Sequence, residues 1–163
     1  MAVRSGEGGS SSGSQSDEAR CHLVCPPARG RYRGIELEYL DPAEPDERQI
    51  LIEAEHKELH AALKRGDEEI FVAGTPMNPR LHITFHEIVA NQLWDDDPPE
   101  LWATAQRLLG LGYERHEVLH MLCSVVVHQV WGVMDSGRPT DPARYVAALD
   151  ELPESYFALA ARS

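Results

Sequence analysis

Cysteine is scarce. Cys21, Cys25 and Cys123 are too few, and odd in number, for a disulfide framework, so a reducing, cytoplasmic setting is expected. The N-terminal stretch MAVRSGEGGSSSGSQSDEAR holds no apolar run of the signal-peptide kind, and no later segment reads as the roughly 20 apolar residues of a membrane span. No membrane association is expected. Positive charge is scarce as well: 15 Lys and Arg stand against 27 Asp and Glu, a net charge of −12. Residues 1–33 carry five Arg against Glu7, Asp17 and Glu18, or +2, which leaves −14 for the rest. A folded part that acidic repels phosphate backbones, so no nucleic acid is expected as a partner. A small molecule, a peptide or a protein remains.

At 163 residues the chain has room for one domain with a core of its own, plus tails. The Gly/Ser-rich start has almost nothing to bury, and residues 1–33 are expected to form a flexible, disordered tail. RYRGIELEYL alternates apolar and polar residues as one short strand would, though without an evident partner strand. From residue 45 the signals are helical, which predicts an all-α domain over 34–163, a bundle of four to five helices.

The first helix covers ERQILIEAEHKELHAALKRGD and ends at Gly66, a C′ glycine. The second runs over about 79–94 behind Asn78 as N-cap and Pro79 at its first position. The third follows Asp97 as N-cap, with Pro98 at the first position and Glu100 completing a capping box. The fourth, over about 113–134, is apolar on most sides, as a central helix is. A short fifth covers 141–150, and ELPESYFALA adds a last turn.

Histidine is the residue type that stands out. Six of eight form three H-x-x-x-H pairs: His56 with His60, His82 with His86, and His116 with His120. Residues four apart share one helix face, so each pair can aim two imidazoles at one ion. Short connections make the second and fourth helices parallel and place His82, His86, His116 and His120 at similar depth. These four are the expected metal ligands, and His56 and His60 the additional candidates. Helical bundles hold metals in such layers. Cys123 and Val127 continue the His116/His120 face, whereas His128 is rotated away by roughly 100°. Cys123 is expected as a small core residue. Val89 and Leu93 give the site an apolar floor. Cys21 and Cys25, flanking His22, have the spacing of half a metal site at most. Trp94, Trp102 and Trp131 read as packing residues.

His116, Glu117 and His120 also spell H-E-x-x-H, in which two histidines bind zinc and the glutamate activates a bound water as general base. The longer form with a downstream Gly and His is absent, since those positions are Cys123 and Val126. Two histidine pairs on one ion make a closed site with no vacancy for water, which suits a structural or sensing metal. Two ions permit hydrolysis or di-iron-type oxidoreductase chemistry, for which Glu55, Glu87 and Glu117 are the nearby carboxylates.

NPRLHITFHEIVANQLW, followed some thirty residues on by HEVLHML, resembles a bacterial family known as domain of unknown function 1841, of pattern NPxLHxxxHxxxxxQ and HxxxHxxMxxxxxxxxW. The matching positions are Asn78, Pro79, His82, His86, Gln92, His116, His120 and Trp131, within about residues 75–135. The resemblance implies no activity. It departs at Asn91 and His128, where acidic residues are expected in relatives.

Three readings follow. The first is a metal-binding helical protein holding a divalent ion, zinc before iron. The second is a zinc hydrolase or peptidase with Glu117 as catalytic base, which requires Glu117 to face an open cleft. The third is a metal-free interaction module with a pH-sensitive histidine layer.

Overall fold

Residues 12–162 are described by a computed structural model. They are mainly helical. Eight α-helices and two small antiparallel ribbons replace the expected four to five helices and single strand: α1 Ser12–Val24, β1 Arg31–Tyr32, β2 Ile35–Glu36, α2 Pro45–Glu55, α3 His60–Arg65, β3 Ile70–Val72, β4 Thr75–Met77, α4 Pro79–Asp95, α5 Pro99–Gly110, α6 Arg115–Ser136, α7 Pro142–Asp150 and α8 Glu154–Ala160.

The flexible tail expected over 1–33 falls in two parts. Residues 1–11 lie outside the described residues. Residues 12–24 form α1, whose end carries Leu23 and Val24, followed by Cys25, into the core. Apolar burial of that size offsets the ordering entropy that composition alone emphasised. The carbonyl of Leu23 also accepts a 2.6 Å hydrogen bond from Arg115 at the start of α6.

The expected lone strand finds its partner close by. Arg31–Tyr32 pairs with Ile35–Glu36 around Arg33 and Gly34, both at positive φ, a tight hairpin turn; residues 37–39 then leave the extended pattern for a 3₁₀ turn. The connector before α4 is a second such hairpin, with Ala73 and Gly74 at positive φ.

The predicted first helix breaks at His56. In a continuous helix the Ile52 carbonyl would accept from the His56 amide. Here that amide turns to the Glu53 carbonyl, and the His56 Nδ1 takes the Ile52 carbonyl at 2.8 Å. The Glu53 carbonyl, besides accepting from the His56 amide, meets the His60 Nε2 at 2.9 Å. Two imidazoles therefore cap the end of α2, as side chains of this type do at helix C-termini. A 3₁₀ turn at Lys57–Leu59 leads into α3, which stops as predicted at Gly66, φ +76°, in a Schellman arrangement.

The Asn78 cap is formed, its Oδ1 accepting from the Leu81 amide at 2.9 Å. The capping box expected for the third helix is not. Pro98 is the N-cap of α5 and Pro99 its first residue, one position later than predicted, and a proline side chain cannot cap.

α4 packs on α6, α2 and α5, while α6 also meets α5 and α7. Leu93, Leu101, Leu108, Met121, Leu122, Leu149 and Leu152 are fully buried where these helices meet. Arg107 holds α7 in place by donating to the carbonyls of Leu152 and Leu149 at 2.8 and 3.1 Å. α6 corrects one expectation, since its 22 residues are long and apolar enough, by length and composition, to cross a membrane. Part of that apolar surface packs on α4, α5 and α7, with 39% of the stretch buried. Trp131 does not pack as predicted: it is 54% exposed on the C-terminal half of α6.

Candidate metal centre

α4 and α6 each present an H-x-x-x-H pair on the side where they pack together, and the break after α2 drops His56 between them. His56 lies against His86 with ring centroids 4.5 Å apart, against His116 at 5.1 Å and against His82 at 5.2 Å. His86 touches both His116 and His120, at 5.4 and 5.0 Å. His82 meets His86 at 4.8 Å and His120 at 5.3 Å. Five imidazoles thus share one layer. One ligand nitrogen from each of His56, His86, His116 and His120 falls within 4.8 Å of the others.

His60 is not part of the layer. Its ring lies tilted against Tyr32, centroids 4.5 Å apart, and its Nε2 is committed to the Glu53 carbonyl. The residues of the first H-x-x-x-H pair diverge because the helix that would align them ends between them.

The nitrogens that face inward lack partners. Nε2 of His56, His86 and His120 is buried and makes no hydrogen bond among the described residues. Leaving a buried polar atom unpaired costs about 1–3 kcal/mol, and three rings of this layer each hold one such atom. For His56 the tautomer follows from geometry: Nδ1 donates to the Ile52 carbonyl, so Nε2 carries a lone pair and no proton. A metal-ligating histidine is held by that kind of outer hydrogen bond.

Burial sets the charge state of the group. Desolvation first, then mutual repulsion, lowers His82 and His120 to about 4 and His86 to about 2; His56 is lowered by desolvation, against the opposing hydrogen bond to Ile52. His116 is lowered by its burial and by the neighbouring Arg115. At neutral pH all five are neutral, the form that binds metal.

One carboxylate borders the layer, and a second acts on it electrostatically. Glu55 forms an ion pair with Arg115 and stands 3.7 Å from the His116 Nδ1. Glu58, on the turn just after His56, acts electrostatically on His56, His116 and His120. Sequence reasoning missed Glu58, because on an unbroken helix it points about 200° away from His56. Of the other carboxylates weighed, Glu87 is bonded to Gln49 and neighbours Glu53. Glu117, the candidate base, lies close enough to Tyr156 of α8 to raise its phenol.

The remaining candidates are elsewhere. Cys123 is buried, its thiol pushed up to about 12 by desolvation, and neighbours Tyr145 and Tyr156. His128 sits apart, with Nδ1 on the Ser124 carbonyl at 2.7 Å. Cys21 and Cys25 are free thiols, and His22 between them is exposed while Cys25 is buried. Val89 and Leu93, completely buried, continue the histidine face of α4 as an apolar floor.

A family model described as Domain of unknown function (DUF1841) matches residues 33–151, a longer span than the two histidine motifs alone. No curated protein and no solved structure matches the chain. The family match runs from the first hairpin to the end of α7 and encloses all five clustered histidines, and the chain belongs to this domain-of-unknown-function family.

Proposed function

We propose that the protein is a metal-binding helical protein whose divalent ion is held by imidazoles of His56, His86, His116 and His120, with His82 beside them. The observation that carries this reading is that one nitrogen from each of His56, His86, His116 and His120 lies within 4.8 Å of the others, in a layer where Nε2 of His56, His86 and His120 is buried without a partner. A hydrogen-bonded histidine layer would pair those atoms with each other or with backbone, and a pH-sensing layer needs rings that titrate near 6–7. An ion supplies the missing partner for each lone pair. Neutral nitrogen donors suit zinc, and also iron, copper and nickel; zinc is favoured because it accepts a four-coordinate nitrogen set.

A hydrolase with Glu117 as base has less support. Glu117 follows His116 by one residue, about 100° around α6, and its electrostatic neighbour is Tyr156 on α8.

The test is elemental analysis of the purified full-length chain beside a His86→Ala/His120→Ala variant, both after reconstitution with Zn²⁺ and desalting. Bound zinc in the parent, lost in the folded variant, is the expected result. A parent that retains no zinc, iron, copper or nickel overturns the reading.

A further inference from the structure

The last turn of α2 supplies more to the layer than the chain break at His56. An acidic residue at a helix C-terminus is opposed by the helix dipole, which favours cations there. Glu55 is nevertheless the last residue of α2, and its side chain finds two partners on α6. One carboxylate oxygen, Oε1, pairs with the Arg115 guanidinium and stands 3.7 Å from the His116 Nδ1. That is about half an ångström beyond an N–H···O bond, a gap that a small side-chain rotation closes. Arg115 does not swing freely, because its other amino group donates to the Leu23 carbonyl at 2.6 Å.

Glu55 stands outside the donor set. The nitrogens within 4.8 Å of one another come from His56, His86, His116 and His120, and no carboxylate of the described residues joins them. His116 has Nδ1 on the Glu55 side, so Nε2 is the nitrogen left for an ion. His56 shows the same division: its Nδ1 bonds the Ile52 carbonyl at 2.8 Å, and its Nε2 is buried without a partner. Ile52 and Glu55 both lie in the final turn of α2, so that one turn offers an acceptor to each of two rings from the group of four. A ligating imidazole that donates from its other nitrogen is fixed in tautomer and orientation, and a carboxylate acceptor raises its basicity as well.

We propose that Glu55 is a positioning residue of the metal centre, which accepts a hydrogen bond from the His116 Nδ1 and so holds the Nε2 of that ring toward the ion. This rests on the metal-binding reading above and adds to it a residue that touches no ion. Arg115 serves to fix the carboxylate, and the Leu23 carbonyl to fix Arg115. The end of α1 is thereby tied to the centre through two side chains.

The experiment uses the Zn²⁺-loaded full-length chain and begins with ¹⁵N NMR of histidine-labelled protein, the His116 signals being identified by their loss in His116→Ala. Nε2 on the metal and a proton on Nδ1 are expected, with that proton exchanging with water at least about tenfold faster in Glu55→Ala and about threefold faster in Glu55→Gln. Glu55→Gln keeps the side-chain size and an oxygen for Arg115, so it holds the fold even if Glu55→Ala does not. Zn²⁺ affinity is then measured in a double-mutant cycle of Glu55→Ala and His116→Ala, by competition with a chromophoric chelator. Glu55→Ala is expected to weaken binding by about tenfold, the low end for such partners because its side chain is 31% exposed, and by about threefold or less once His116 is alanine. The NMR result decides alone where His116→Ala binds too weakly to measure. His116 bound through Nδ1, an Nδ1 proton unmoved in Glu55→Gln, or a loss in Glu55→Ala undiminished in the His116→Ala background overturns the proposal and leaves the metal reading standing. A parent that binds no Zn²⁺ overturns both.

Discussion

His56 and His86 meet edge-on with ring centroids 4.5 Å apart, and each keeps a buried Nε2 without a hydrogen-bond partner among the described residues. The two residues come from different kinds of structure. His86 is carried by the regular α4, whereas His56 is the point at which α2 ends. The contact therefore depends on a broken helix, and it separates His56 from His60, its partner in sequence.

That separation gives the first prediction. His56→Ala removes an inward donor and is expected to weaken Zn²⁺ binding by about 100-fold or more. His60→Ala removes only a cap on the Glu53 carbonyl and a ring contact with Tyr32. It is expected to change affinity by less than about threefold and to cost about 1 kcal/mol of stability. Competition against a chromophoric chelator measures the first effect and urea denaturation the second. Equal losses of affinity in the two variants would contradict the assignment.

The contrast between these residues also marks how far the sequence can be read. Asn78-Pro79 announced the start of α4, and the i, i+4 spacing put His82 with His86 and His116 with His120 on the packed side of their helices, because local capping and helical period decide those features. Gly66 likewise announced the end of α3. His56–His60 had the same spacing and a different outcome, since nothing in KEL between them breaks a helix by propensity. The break is stabilised by the two rings that take the Ile52 and Glu53 carbonyls, an alternative that spacing does not reveal. α1 was missed for a related reason. Its composition is that of a linker, and it is held by the apolar residues at its end, packed in the core, with the Arg115 bond to the Leu23 carbonyl and the Arg20–Asp96 ion pair.

Acid should destabilise the metal-free protein, and the sign follows from the direction of the shifts. His82 and His120 are lowered to about 4 and His86 to about 2, from 6.5 in the unfolded chain. Below about pH 6.5 the unfolded chain takes up protons that the folded chain refuses, so this stability is complete above that pH and declines as pH falls toward 4 and below. Each such group contributes at most about 1.4 kcal/mol per pH unit. Partial solvent access to His82 and His120 reduces this, and a combined slope of about 1–2 kcal/mol per pH unit between pH 6 and 4 is expected. Urea titrations of the stripped protein across that range provide the check. A flat profile, or stability rising with acid, would sink the neutral-histidine description of the layer.

His86→Leu should separate binding from stability. The substitution removes a buried nitrogen that lacks a partner and replaces the ring with an apolar group of broadly similar size beside Val89 and Ala90, both in the core. The metal-free variant is expected to be more stable than the metal-free parent by about 1 kcal/mol. It should lose most of the rise in Tm that the parent shows with excess Zn²⁺. Differential scanning calorimetry with and without metal measures both. A metal-free variant less stable than the metal-free parent would mean that the His86 ring is needed for packing rather than for a ligand.

Arg48 offers a stabilisation far from the histidines. It is buried, at 2% exposure, yet its hydrogen bonds go to neutral oxygens: Nε and Nη2 to Asn91 Oδ1 at 3.0 and 2.8 Å, and Nη1 to the Pro42 carbonyl at 2.6 Å. Its guanidinium also lies 5.1 Å from the Trp94 ring centroid. A carboxylate at position 91 would meet the same fork as an ion pair, adding an opposite charge to bonds that now run from a cation to a neutral oxygen. Asn91 is solvent-facing, which tempers the gain to about 0.5–1 kcal/mol. Asn91→Asp is thus expected to raise Tm by about 2–3 °C at low ionic strength, less in high salt, with metal binding unchanged. A lower Tm would show that the Arg48 charge is already satisfied by the carbonyls and the Trp94 face, and that an acid at this exposed edge adds only to the repulsion within a chain of net charge −12.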